Sequence, residues 1–201
     1  QSILLTAQGS TALVDCGGSG GDDPGDIAAD YVQAMGKSTL DLLVLTHYHS
    51  DHACGVPELL ERLTVTTLAV PDVEPDSALR AEILALAEEK GTEVIFIEED
   101  TAVELGGASL TLYAPLGTGG GNDEGLSVLA TLGDFDALIT GDMNAAVEGR
   151  LIKYGNLPDI ELLVAGHHGS ASSTSAGLLE AVMPEYAVMS VGYNTYGEPA
   201  P

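Results

Sequence analysis

Short apolar runs alternate along this chain with breaks rich in Gly, Asp and Ser. Residues 2–6 and 11–15 are two such runs, and Gln8-Gly9-Ser10 between them predicts a β-hairpin. Asp26 is placed to cap a helix over 27–35, which Gly36 ends. Residues 40–46, LDLLVLT, are almost unbroken in apolar character and of strand length, so they read as a buried central strand. A helix over 56–63, with Pro57 in its first turn, follows a His-rich loop. Residues 66–70 read as strand and 76–90 as a strongly amphipathic helix stopped by Gly91. Strands are expected over 93–97, 102–105, 109–114, 126–132 and 136–140, with Gly106-Gly107 and Gly133-Asp134 as hairpin turns. Helix 144–154, strand 160–164, helix 175–183 and strand 186–191 complete the pattern, and GTGGGNDEG (117–125) reads as a flexible loop. The first half is rich in hairpins and the second alternates strand with helix, so the class is α/β (α+β), with two packed sheets and helices outside.

Composition narrows this further. Hydrophobic residues make up 45% of the 201, enough for a full core, and that length fits a single domain over residues 1–201. No apolar stretch approaches the roughly 18 residues of a membrane span, and no basic start precedes an apolar run. The first residues, Gln1-Ser2-Ile3-Leu4-Leu5, already read as strand and no Met precedes them, so the expectation is a domain cut from a longer polypeptide. The formal charge is −25, from 31 acidic against 6 basic residues. Such a surface disfavours loose binding to nucleic acid and to anionic membranes. The six cations, Lys37, Arg62, Arg80, Lys90, Arg150 and Lys153, form no basic patch near the loops discussed next. Cys16 and Cys54 are too few for a disulfide scaffold and are read first as free thiols, ahead of a disulfide or a metal site.

All five histidines fall in two places, each directly after an apolar strand. His47-Tyr48-His49-Ser50-Asp51-His52 follows LDLLVLT, and His167-His168 follows the strand at 160–164. In extended chain His47 and His49 point the same way and can grip one cation. Asp51 and His52 can serve a second beside it. Imidazole with carboxylate suits Zn, and also Mn or Fe. Asp142 ends the apolar run Leu138-Ile139-Thr140-Gly141. A Gly-Asp pair alone often makes only a turn. Beside the His loop it becomes a plausible bridge between two cations about 3.5–4 Å apart. Adjacent histidines diverge, so one of His167 and His168 is free to pass a proton to substrate.

Three segments, LDLLVLTHYHSDHACGVPELLERL (40–63), LITGDM (138–143) and AGHHGS (165–170), together resemble the metallo-β-lactamase superfamily. GHHGS, the residues 127–129 and SVGYNTYGEP (190–199) look more narrowly like the hydrolase domain of the bacterial competence protein ComEC. The resemblance implies a four-layer αββα sandwich with two divalent ions, Zn or Mn, at one edge. It assigns His47 and His49 to the first ion, Asp51 and His52 to the second, Asp142 as the bridge and His167 as the remaining ligand, a role that His168 could exchange with it. Asp51 would orient a metal-activated hydroxide, and His168 or Glu198 would protonate the leaving group. Three departures stand out: no histidine lies between Ala53 and Gly141, where many relatives have one; Glu198 replaces the usual His of Tyr-Gly-His-Pro; and the family's opening Asp-Val-Gly-Gln-Gly segment is absent.

The expected function is a metal-dependent phosphodiesterase or nuclease acting on DNA, single-stranded DNA included, attached to the membrane portion of the same parent protein on its extracytoplasmic side. The alternatives are a hydrolase of a small phosphoester or lactone, and a metal-depleted, non-catalytic domain.

Overall fold

β1 (Ile3–Ala7) and β2 (Ser10–Val14) form the expected antiparallel hairpin, turned by Gln8 and Gly9 in left-handed backbone. The computed structural model describes residues 1–19, 23–118, 120–192, 194, 195 and 197–200. Gly20, Gly21, Asp22 and Gly119 of the two Gly-rich loops, Tyr193 and Tyr196 of SVGYNTYGEP, and Pro201 lie outside the described residues. The chain divides into two compact units, Gln1–Ile97 with Leu105–Gly107, and Glu98–Glu104 with Ala108–Pro201.

In the first unit β2 continues into a parallel array with β3 (Thr39–Val44), β4 (Thr64–Val70) and β5 (Glu93–Phe96), giving the order β1-β2-β3-β4-β5. Val14 pairs with Val44 and Val44 with Ala69, so β2, β3 and β4 end level with one another. Helices α1 (Pro24–Ala34), α3 (Val56–Arg62) and α4 (Ala78–Lys90) pack on this sheet through Ala29, Val32, Leu59, Leu60, Ile83 and Ala87. α1 and α3 approach at Gly25 and Gly55. A Cβ on Gly25 would collide with the Gly55 carbonyl and stand 2.8 Å from Glu58 Cβ, so only glycine permits the approach.

Three expectations need correction here. The cap of α1 is Asp23, which accepts from the N–H groups of Gly25 and Asp26, and Pro24 occupies the first turn. Asp26 instead pairs with Arg62. α4 is capped by Ser77 and stopped by Gly91 at φ 74°, but it buries only Ile83 and Ala87, so its apolar stripe is narrow. A short helix, α2 (Ser50–Ala53), was not foreseen within the His-rich loop.

The second unit holds β6 (Thr101–Leu105), β7 (Ala108–Tyr113), β8 (Ser127–Leu132), β9 (Phe135–Ile139), β10 (Leu162–Val164) and β11 (Tyr186–Val188), in the order β11-β10-β9-β8-β7-β6. β9, β10 and β11 are parallel and end level, Val164 pairing with both Ile139 and Val188. α5 (Ala145–Tyr154) and α6 (Ala176–Val182) cover this sheet through Val147, Leu151, Leu178 and Val182. Within GTGGGNDEG, Gly121–Glu124 forms a turn of 3-10 helix, and Asp123 accepts from the Asn144 side-chain amide at 2.7 Å. β10 and β11 are shorter than expected, at three residues each. Each unit is thus a mixed sheet with helices packed on it. Among the described residues no helix is long and apolar enough to cross a membrane.

Candidate metal centre

Each unit gathers its metal-type side chains at the carboxyl ends of three parallel strands. Ligand sites of open α/β sheets form at such edges because the chain leaves the ladder there and its side chains are free to converge.

In the first unit Asp15 follows β2, His47 follows β3, and the loop from Pro71 follows β4. His47 is fully buried, and its ring stands 4.7 Å from that of His49 and 4.2 Å from that of His52, centroid to centroid. The two-residue alternation of extended chain holds only as far as His49, which caps α2. The helical turn after it swings His52 back against His47 instead of away from it. Asp51, half-buried on α2, offers a carboxylate oxygen within 4.8 Å of an imidazole nitrogen of His52.

Asp15 orders this cluster. It is fully buried, sits at φ 61°, and accepts from the Thr46 N–H at 2.7 Å, the Thr46 hydroxyl at 2.9 Å and the Gln1 side-chain amide at 2.8 Å. Its Oδ2 is also 2.7 Å from His52 Nδ1. Burial alone would raise the carboxyl's pKa, but the attraction of His52 and His47 and the Thr46 hydrogen bonds together hold it below its ordinary 3.8. An ionised carboxylate only accepts, so His52 carries its proton on Nδ1. The Thr46 hydroxyl gives its proton to Asp15 and therefore accepts, at 3.1 Å, from His47 Nδ1. Both rings accordingly present the Nε2 lone pair. A metal-binding imidazole needs this tautomer, with its other nitrogen hydrogen-bonded behind it.

In the second unit Asp142 follows β9, and His167 and His168 follow β10. The Asp142 side chain is 2% exposed, and its Oδ2 lies 3.7 Å from His167 Nε2 and 3.9 Å from His168 Nε2. Both histidines adopt left-handed backbone, φ 48° and 54°, which is uncommon for residues other than glycine and concentrates at functional sites. Two successive left-handed residues explain why adjacent histidines, expected to diverge, both reach one carboxylate. His168 Nδ1 donates to the Ser190 carbonyl at 2.6 Å, which fixes Nε2 as the nitrogen facing Asp142. Glu198 is half-buried in the segment whose Ala200 N–H donates to the Gly169 carbonyl, beside the histidine pair.

Glu148 holds this loop in place. Fully buried on α5, it accepts the N–H groups of Thr174 at 2.5 Å and Ser175 at 2.8 Å. The Thr174 hydroxyl in turn accepts from the Gly166 N–H at 2.9 Å. Sequence reasoning missed Asp15, Thr46 and Glu148. A strand of the LDLLVLT kind that ends in Asp was the available signal for Asp15. Nothing local marks Glu148, since a glutamate in a helix is ordinarily solvated. Cys16 and Cys54 are free thiols, as read from the sequence, and burial pushes Cys16 up to about 12.

The donor set fits divalent cations. Imidazoles with fixed tautomers, buried carboxylates and hydrogen-bonded supports behind them are the parts of a built metal site.

Sequence and structure comparisons agree with this chemistry. The family model for the metallo-beta-lactamase superfamily matches residues 1–193. Competence protein ComA of Neisseria gonorrhoeae is 30% identical over 202 residues, covering 98% of this chain and 26% of that protein. ComE operon protein 3 of Bacillus subtilis is 24% identical over 166 residues, covering 82% of this chain and 21% of that protein. The chain therefore spans about a quarter of the length of the curated relatives it matches. Among solved structures, the metallo-beta-lactamase fold protein YhfI from Bacillus subtilis aligns with a TM-score of 0.59 at 20% identity, covering 82% of this chain and 62% of that one. The chain belongs to the metallo-β-lactamase superfamily of metal-dependent hydrolases and has its fold. Within that superfamily its homologues include competence proteins of the ComEC family.

Proposed function

We propose that this domain is a metal-dependent phosphoesterase, the hydrolase part of a ComEC-type competence protein, acting on DNA. The observation that carries the reading is the tautomer control behind the imidazoles. Asp15 and Thr46 turn His47 and His52 so that Nε2 is presented, and the Ser190 carbonyl does the same for His168.

These donors would hold a pair of Zn or Mn ions. His47 and His49 would hold one, and Asp51, His52, Asp142 and His168 the other. When bound, such ions activate water at neutral pH and take up negative charge on the phosphoryl oxygens. His168 is assigned as ligand because its Nδ1 is anchored, while the more exposed His167 is placed to give a proton to the leaving oxygen. This exchanges the roles first expected for the two. Asp51 would orient the attacking water, and Glu198 is the second candidate for the leaving-group proton.

The homologues' names support a place in DNA uptake, alongside a membrane portion of the same protein and outside the cytoplasm. The charge of −25 favours a second reading, a small phosphoester or lactone as substrate, because a surface so negative repels a polyanion. Assay of the purified domain with Mn or Zn on single-stranded DNA and on bis-p-nitrophenyl phosphate separates the two. Cleavage of both, lost in Asp142→Ala, is expected. Cleavage of the small ester alone selects the second reading, and no cleavage with under one ion per chain points to a non-catalytic domain.

A further inference from the structure

Cys16 and Cys54 take no part in the site described above, yet each adjoins a segment that builds it. Cys16 directly follows Asp15, just past the end of β2, and Cys54 follows α2, which carries Asp51 and His52. The Cys16 N–H donates to the His52 carbonyl at 2.7 Å, and the Gly55 N–H donates to the Cys16 carbonyl at 2.8 Å. These two bonds bracket Ala53 and Cys54 opposite Cys16. Backbones joined in this way run about 4.7–4.9 Å apart in a regular ladder, inside the roughly 4.4–6.8 Å that separates the Cα atoms of a disulfide.

The fit continues at Gly17, where a Cβ would stand 2.3 Å from the His52 nitrogen, so the two backbones touch there as well. Both thiols turn to one loop. Cys16 donates its S–H to the Pro24 carbonyl and Cys54 to the Gly18 carbonyl, each at 3.7 Å. Gly18 and Pro24 are themselves neighbours, since a Cβ on Gly18 would stand 3.4 Å from Pro24 Cβ. The charge of a Cys54 thiolate is one of the causes that raise the Cys16 thiol, so each sulfur lies within reach of the other's field. Both are free thiols, Cys16 buried and Cys54 half-buried.

We infer that Cys16 and Cys54 form a disulfide when the protein meets an organic disulfide, stapling the end of β2 to α2. The half-buried Cys54 is the accessible sulfur and reacts first. Its thiolate attacks one sulfur of the reagent, releases one thiolate and leaves a mixed disulfide. The Cys16 thiolate then attacks the Cys54 sulfur and releases the second thiolate. Both cysteines are oxidised, the reagent is reduced to two thiols, and the two protons pass from the protein to them. Burial raises the Cys16 thiol, so this second step is the slow one. The bond ties the Asp15 segment to the helix of Asp51 and His52, and it restricts the unfolded chain between the two cysteines. It goes beyond the metal-binding reading and needs no metal. Its oxidant is of the kind met outside the cytoplasm, where the domain is proposed to lie.

The test starts from reduced, folded protein incubated with oxidised glutathione at about pH 8.5, where thiolates become available. Free thiols are then alkylated and the chain is weighed by mass spectrometry. Wild-type protein is expected to lose both free thiols and two hydrogens, to retain no glutathione, and to yield one cross-linked peptide holding Cys16 and Cys54. Cys16→Ser is expected to keep one glutathione on Cys54, and Cys54→Ser to keep its buried thiol unmodified. The thermal midpoint of oxidised wild type should stand several degrees above that of the reduced form and fall back on treatment with a phosphine reductant. Neither variant should show that difference, and the wild-type thiol count decides the matter even where a variant fails to fold. Two thiols surviving in wild type, glutathione retained on both cysteines, a bond between two chains, or a cross-link that leaves the midpoint unmoved would overturn the staple. Each of these outcomes leaves the proposed metal chemistry standing.

Discussion

At the residue scale the chemistry depends on groups that touch no substrate. Asp15 accepts hydrogen bonds from Thr46, Gln1 and His52 in a fully buried position. Asp15→Asn keeps the volume but removes the charge that selects the His52 tautomer. Zinc affinity is expected to fall 10–100-fold, the usual effect of removing such a support, as read by calorimetry. Stability should fall by about 2–4 kcal/mol in urea, since buried donors lose a charged acceptor. Two other buried groups give a pH signature. Burial raises the Cys16 thiol from 9.0 and the Tyr48 hydroxyl from 10.0, each to about 12. The folded state therefore holds these protons where the unfolded chain releases them. Their contribution is complete below pH 9 and is lost as pH rises from 9 to 12. Urea midpoints followed across that window should fall, and less steeply in a Cys16→Ala, Tyr48→Phe variant.

At the element scale, two contacts decide whether the site-bearing loops are held. α1 and α3 meet through Gly25 and Gly55, with no room for a methyl group on Gly25. Gly25→Ala is expected to destabilise the protein by about 2–3 kcal/mol through overpacking, measurable as a lowered thermal midpoint. In the second unit, Glu148 ties α5 to the start of α6 and so to the loop carrying His167 and His168. Glu148→Gln replaces one of the two accepting oxygens with an NH2 donor that faces a backbone N–H. The histidine loop should relax from its left-handed geometry, with loss of the slowly exchanging His168 Nδ1 proton in NMR spectra. Leu151→Ala, in the core of the same helix, should lower stability without moving that signal.

At the scale of the whole molecule, the formal charge is −25, with 31 acidic residues against 6 basic ones. Self-repulsion of this size destabilises the compact state, and salt screens it over about 8–10 Å. The thermal midpoint of metal-free protein should rise as sodium chloride increases from about 10 to 150 mM. Zinc should raise it further at fixed ionic strength, by an amount corresponding to about 2.7 kcal/mol at a hundred times its dissociation constant. Chelation with EDTA should reverse that gain.

The sequence alone determined the order of strands and helices apart from α2, because burial imposes a period of two or of 3.6 on local residues. It also singled out the histidine and aspartate candidates, because residue types that suit a metal cluster there directly after apolar strands. His47, His49, Asp51, His52 and Asp142 were visible in this way. Only the tertiary structure decided which nitrogen each imidazole presents, since that depends on Asp15, Thr46 and Ser190, up to 37 residues away along the chain. It alone placed Glu74 beside His49 and Glu148 against Thr174 and Ser175. Parallel strands ending level bring residues far apart in sequence to one edge, and a local pattern carries no record of that meeting.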